Sequence, residues 1–213
     1  MTIKDIKESI NYCHNDIDDD LCSLYKNSSY LAIDTEAMGL IHGRDRLCLI
    51  QICNELNLTS CIKISINTSS SPNIKTLFED DKIIKIFHYA RFDVAALKCN
   101  LGISTKNIFC TKIASKLART YTNKHGLKDL IKEICGIELD KSSQSSDWGS
   151  TENLTTAQLD YAANDVKYLI EAMKKLELIL KREGRFELAK ECFKTVNVLA
   201  DLDILKYQNI FDH

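Results

Sequence analysis

The stretch Tyr30 to Leu40, "YLAIDTEAMGL", decides the fold. A short apolar run of strand length ends in two acids, Asp34 and Glu36, one residue apart. On a strand, residues i and i+2 share a face, so the two carboxylates project together while Thr35 points away. Carboxylates about 7 Å apart on a strand repel each other unless a cation lies between them. Taken alone, two acids at a strand end are a common surface feature, so a metal site needs further acids from elsewhere in the chain.

Working outward, "RLCLIQIC" (46–53) and "LTSCIKI" (58–64) are aliphatic and β-branched runs between turn-like residues, as expected of a meander. The period then changes. "NIKTLFED" reads as a helix, "KIIKIF" (82–87) as a strand, "RFDVAALKCN" as a helix and "NIFC" (107–110) as a short strand. From Thr111 the pattern is helical, with breaks at Gly126, from Gly136 to Gly149, and near Gly184. "NTSSSPN" (67–73), which holds the only proline, reads as an ordinary loop. The fold class expected is α/β: a mixed sheet, antiparallel first and parallel later, flanked by helices.

A chain of 213 residues with 45% hydrophobic content can bury one substantial core. One domain is expected over 1–213, with a catalytic core at about 25–182 and a C-terminal helix and tail at 185–213. The formal charge of -2 gives no global positive field for long nucleic acid. A phosphate ligand must then be held by local charges or by metal. The first twenty residues lack an apolar signal core, and no run of about 18 apolar residues lacks a charge. A soluble protein without membrane segments is expected. Nine cysteines without a C-x-x-C pair fit neither a disulfide framework nor a zinc module; they read as small buried thiols of a reducing cytoplasm.

The further acids are present. In "IFHYARFDVAAL" (86–97) an apolar strand ends and Asp93 enters a helix, where on its own it reads as a first-turn acid favoured by the helix dipole. In "TTAQLDYAANDVKYLIEAM" (155–173), Tyr161 and Asp165 stand one turn apart on one helix face. They border an apolar stripe of Leu159, Ala162, Val166 and Leu169. Four acids and a phenol thus come from one strand and two helices. Hard divalent cations prefer carboxylate and water oxygens, so the strand ends in two acids as the floor of a metal site.

These motifs, "DTE", "HYARFD" and "YAANDV" in that order, resemble those of the DEDDy 3′-5′ exonucleases of the ribonuclease D superfamily, whose fold is ribonuclease H-like. "DRLCLIQ", "KIFHYARFD", "FCTKIASKLARTYTNKHGLK", "QSSDW" and "LDILKYQNIFDH" are most similar to the small nanoRNase C group, and the likeness covers essentially the whole chain. The resemblance implies a phosphodiesterase with two divalent ions, Mg²⁺ or Mn²⁺, releasing nucleoside 5′-monophosphates from a 3′ end. By that likeness Asp34 bridges both ions, Glu36 and Asp165 complete the site of the ion holding the attacking water, and Asp93 holds the second. Two ions roughly 4 Å apart stabilise both oxygens of an in-line displacement. Tyr161 is expected to orient the water, since an ordinary phenol titrates near ~10.

The resemblance also implies substrate contacts. Leu40, with Met38 close by, is expected to wedge between the last two bases; ordinary packing is its bland alternative. His88 and Phe92 are expected at sugar or base, against a structural histidine, and Thr35 joins this set. Lys112, Lys116 and Arg119 form a basic stripe at helical spacing, either a solvated face or a phosphate contact. Ser145, Ser146 and Trp148 are further candidates for phosphate. The pattern leaves room for about one helix after Gly184, so no added nucleic-acid-binding domain is expected, and short substrates are favoured, since long ones gain affinity through many phosphate contacts. The expected function is conversion of short oligoribonucleotides, especially diribonucleotides, to mononucleotides, by a homo-octameric ring in the cytoplasm. The alternatives are a general exonuclease acting also on DNA 3′ ends, and a non-catalytic nucleic-acid-binding module.

Overall fold

The structure, a computed structural model, describes residues 10–139, 148–149, 154–207 and 209–210. Among them six strands form one mixed sheet: β1 (Asn11–His14), β2 (Tyr30–Ala37), β3 (Leu47–Asn54), β4 (Thr59–Lys63), β5 (Ile84–Phe87) and β6 (Ile108–Cys110), in spatial order β1-β4-β3-β2-β5-β6. β3 runs antiparallel to β2 and β4, while β5 pairs in parallel with β2 and β6, and β1 in parallel with β4. The expected antiparallel-then-parallel sheet is therefore present. β3 is buried along its whole length, as its near-continuous apolar sequence requires of a strand covered on both faces.

Nine helices cover the sheet within the described residues: α1 (Asp19–Lys26), α2 (Pro72–Phe78), α3 (Ala90–Leu101), α4 (Thr111–Ala118), α5 (Leu127–Cys135), α6 (Thr156–Lys167), α7 (Leu169–Arg182), α8 (Phe186–Lys194) and α9 (Val196–Ile204). β1 and α1 lie where the sequence suggested no element. "NYCH" has no apolar alternation, and its parallel partner β4 lies 49 positions on, Asn11 opposite Ser60. α1 is set by Asp18, whose carboxylate accepts from Leu21 N at 2.8 Å, a side-chain N-cap. The proline of the expected loop instead opens α2 as its first residue, where a missing N–H costs nothing.

The sheet separates two helical layers. On the face of Tyr30, Asp34 and Glu36 lie α6, whose Ala162 packs with Leu49 and Cys61, and α7, whose Lys174 sits 5.4 Å over the Tyr30 ring. On the face of Leu31, Ile33 and Thr35 lie α1, whose Tyr25 hydroxyl reaches Ser60 Oγ at 2.8 Å, and α3, whose Val94, Ala95 and Leu97 join the main core. After Gly184 the chain makes two helices, not one. α9 packs along α3 through an Arg91–Asp203 fork at 2.5 and 2.6 Å and a Lys98–Asp201 ion pair. This clamp holds the helix that carries Asp93.

Candidate active site

β2 is central, paired on both edges, and its last turn of residues is fixed by the register that sets Asp34 opposite Gln51 and Glu36 opposite Leu49. α6 then lays its own acid over this pair. A capping box of Thr155 and Gln158 fixes the start of α6, buried Ala162 and Val166 seat it, and Tyr161 and Asp165 fall on the flank toward β2. Asp34, Glu36 and Asp165 each offer a carboxylate oxygen within 4.8 Å of the others. The Tyr161 phenol hydrogen-bonds the Asp165 carboxylate.

Asp93 arrives from the opposite layer. It is buried in the first turn of α3, and Thr35 Oγ1 donates to its Oδ1 at 2.7 Å. Thr35 points away from Asp34 and Glu36, as alternation requires, but it points at the fourth acid. Its hydroxyl is therefore spent on positioning Asp93, although Thr35 also borders the cleft.

The charges repel strongly. Burial, then Asp93, Glu36 and Asp165, hold the Asp34 carboxyl well above the usual range. Burial, then Asp165 and Asp93, push Glu36 up to about 8. Burial raises Asp93 to about 7 against the Thr35 bond, and raises Asp165 to about 6 against Tyr161 and Lys128. Burial and the neighbouring acids also push the Tyr161 phenol up, so it stays a donor. All-oxygen donors whose crowded charges a cation would relieve suit a hard divalent ion.

A cleft of about 500 Å³ opens over Asp34, Glu36, Tyr161 and Asp165, lined also by His88 and by Gly126, Leu127, Lys128 and Asp129 at the start of α5; Asp93 lies behind it. His88 is read by its bonds. Its Nδ1 lies 2.9 Å from Thr111 Oγ1, whose single proton goes to the Phe87 carbonyl at 3.0 Å. Nε2 is buried and makes no short hydrogen bond among the described residues, and the His125 backbone favours a proton on the ring. Burial, and then Lys112, lower the ring to about 4, so it is neutral at pH 7.

Leu40 and Phe92 line a second cavity of about 490 Å³ with Ile41, His42, Tyr89 and Tyr207. Leu40 is 80% exposed, available as a wedge rather than packed. Tyr89 holds a left-handed backbone, φ 72°, unusual for a bulky residue and a common mark of functional turns. Lys112 lies 4.3 Å over its ring. Sequence reasoning missed Tyr89, His42 and Tyr207, and missed Lys128, for which the helix start at Gly126 was the available signal.

The basic stripe is not one surface. Lys116 is exposed, but Arg119 is fully buried. Its guanidinium forks onto Glu133, with Nε to Oε1 at 3.0 Å, and Nη1 donates to Ser115 Oγ at 2.8 Å and the Lys124 carbonyl at 2.9 Å. Helical spacing put the three cations on one side of α4, and α5 then closed over the end of it. Arg119→Ala is accordingly expected to cost about 2–3 kcal/mol through the lost hydrogen bonds of a buried guanidinium, its ion pair with the partly exposed Glu133 adding little. Thermal denaturation should show a melting temperature lower by several degrees, with Lys116→Ala unchanged. Trp148 is also buried, its ring 6.4 Å from that of Tyr161, and it does not line the cleft. Ser145 and Ser146 lie outside the described residues.

Residues 10–181 match the family described as 3′-5′ exonuclease. The chain is similar to Brucella melitensis NrnC bound to pGG, with 42% identity over 96% of this chain and 98% of that one and a TM-score of 0.90. It is similar to Brucella melitensis NrnC with bound Mg²⁺, with 40% identity over 96% and 99% and a TM-score of 0.90. It is also 29% identical to the ribonuclease D of Sphingobium indicum, over 77% of this chain and 42% of that protein. The chain thus spans well under half the length of the ribonucleases D that it matches, 42% and 44% for two of them.

Proposed function

The chain belongs to the 3′-5′ exonuclease family, and from that premise we propose that it is a metal-dependent exoribonuclease that hydrolyses short oligoribonucleotides, diribonucleotides above all, to nucleoside 5′-monophosphates. The observation that carries this is the meeting of Asp34, Glu36 and Asp165 within 4.8 Å, with Asp93 held beside them by Thr35. Their raised carboxyl pKa values are those of a site built for cations. Asp34, Glu36, Asp93 and Asp165 would hold two Mg²⁺ or Mn²⁺ ions, which supply an acidified water and charge neutralisation at the phosphate.

The remaining chemistry belongs to the protein. Tyr161, kept protonated and bonded to Asp165, orients the attacking water rather than removing its proton. His88, neutral and on the cleft wall, contacts the sugar of the terminal nucleotide. Lys128, whose positive charge lowers Asp165, faces the scissile phosphate from the cleft wall. Leu40 separates the last two bases between the two cavities, with Phe92 beside it.

The preference for short substrates is supported by the likeness to a protein bound to pGG. The expected octameric ring belongs to the same proposal, supported by exposed Met38, Ile41, Leu205 and Tyr207, and light scattering tests it. All nine cysteines lack disulfides, which supports a cytoplasmic setting, and among the described residues no helix is long and apolar enough to cross a membrane.

The direct test is initial rates with Mg²⁺ or Mn²⁺ on 5′-labelled RNAs of two to about twenty nucleotides, beside matched DNAs. Rates at least tenfold higher for the dinucleotide are expected. Equal rates across lengths and sugars would replace the proposal with a general exonuclease.

A further inference from the structure

β3 carries one polar side chain in the middle of its apolar run. Gln51 has no exposed surface, and neither its Nε2 nor its Oε1 has a hydrogen-bond partner among the described residues. A buried polar group left unmet costs about 1–3 kcal/mol, and each such group in a folded protein calls for a reason. Leu49, two residues earlier on the same face, shows that an apolar side chain serves this layer well.

The sheet register supplies the reason. Gln51 stands opposite Asp34 of β2 and opposite Cys61 of β4, and Cys61 stands opposite Tyr12 of β1. Directly opposed residues share a face with Cβ atoms about 5 Å apart. A row of carboxylate, amide, thiol and phenol therefore crosses four strands on the face that α6 covers. Asp34 is the end of that row whose charge rises when a cation is bound.

We infer that Gln51 is a positioning residue for Asp34: its Nε2–H donates to the Asp34 carboxylate when the acids hold a divalent ion, fixing the carboxylate's rotation toward the cleft. This rests on the metal reading of the site proposed above. On its other side the amide faces Cys61 of β4, with no hydrogen bond between the two in this structure. Burial pushes that thiol up to about 12, so it remains an S–H able to donate weakly to Oε1. Gln51 touches no substrate and does not line the cleft; its effect passes through Asp34. Groups that orient a metal ligand typically change metal affinity 10- to 100-fold when removed.

The test separates this role from a merely structural one. Metal-stripped wild type, Gln51→Leu and Gln51→Met are titrated with Mn²⁺ by calorimetry, and their melting temperatures are measured without metal. Both apolar variants remove the donor, and methionine keeps the unbranched shape should the leucine branch not fit. The expected result is metal-free melting at or above wild type, with Mn²⁺ binding roughly 10- to 100-fold weaker and kcat lowered at nearly constant KM. Mn²⁺ affinity within twofold of wild type in a folded variant would overturn the assignment. Wild-type protein that takes up no Mn²⁺ would instead overturn the metal reading itself, so the two failures are distinct.

Discussion

Asp34→Asn is expected to lower kcat by about four orders of magnitude while the metal-free protein melts at or above the wild-type temperature at pH 8. Asp34 is the acid on which the other three converge: Asp93, Glu36 and Asp165 all raise its pKa. On the metal reading proposed above, it would hold both ions. Losing a shared ligand of a two-ion site removes about 5 kcal/mol of transition-state stabilisation, and each 1.36 kcal/mol is tenfold in rate. The stability change runs the other way. Asparagine matches the shape of the neutral acid and cannot carry the charge that its neighbours oppose. Rates on a labelled dinucleotide and a melting curve without metal check both halves. An Asp34→Asn enzyme within tenfold of wild type would remove the metal assignment.

Metal-free protein is expected to lose several degrees of melting temperature between pH 6.5 and 8, and to regain them with Mn²⁺. The unfolded chain ionises its carboxyls near ~4, whereas the folded, metal-free protein holds Glu36 near 8 and Asp93 near 7, with Asp34 also well above its usual range. The folded state thus binds more protons, so the stability these groups contribute is complete below ~4 and is lost as pH rises through 7 and 8. The cleft admits water, which tempers the effect to about 1–2 kcal/mol. Two groups of opposite slope lie outside this window. His88, lowered to about 4, adds stability as pH climbs toward ~6.5, and Lys85, lowered to about 8 by burial, does so above 8. Scanning calorimetry at pH 6.5 and 8.0, with and without Mn²⁺, reads the carboxylates. A flat metal-free profile would show that the four acids do not share one electrostatic site.

The acids were legible in the sequence because their chemistry is local. The i, i+2 spacing of Asp34 and Glu36 and the one-turn spacing of Tyr161 and Asp165 are fixed by the backbone period alone, and the order of strands and helices from Tyr30 to Cys110 followed from the same periods. What periodicity cannot state is which neighbour covers a face. Arg119 shares a helical side with Lys112 and Lys116, yet it is buried because α5 brings Glu133 and the Lys124 carbonyl to it. Thr35 was read correctly as pointing away, but only the packing of α3 shows that it points at Asp93. β1 has too few apolar residues to declare itself, and its register comes from a distant partner. Gln51 was visible as a lone amide in "LCLIQIC", but its meaning depends on what stands across the ladder.

The spread of the four acids along the chain bears on how it is made. Asp34 and Glu36 leave the ribosome first, Asp93 follows, and Asp165 emerges only with α6. Chains begin to fold from the N-terminus during synthesis, so a nascent fragment can form much of the sheet while still lacking a complete cation site. On the function proposed above, activity would be withheld until α6 has been translated. A nascent chain that stops short of α6 carries the scaffold of the site without its last acid.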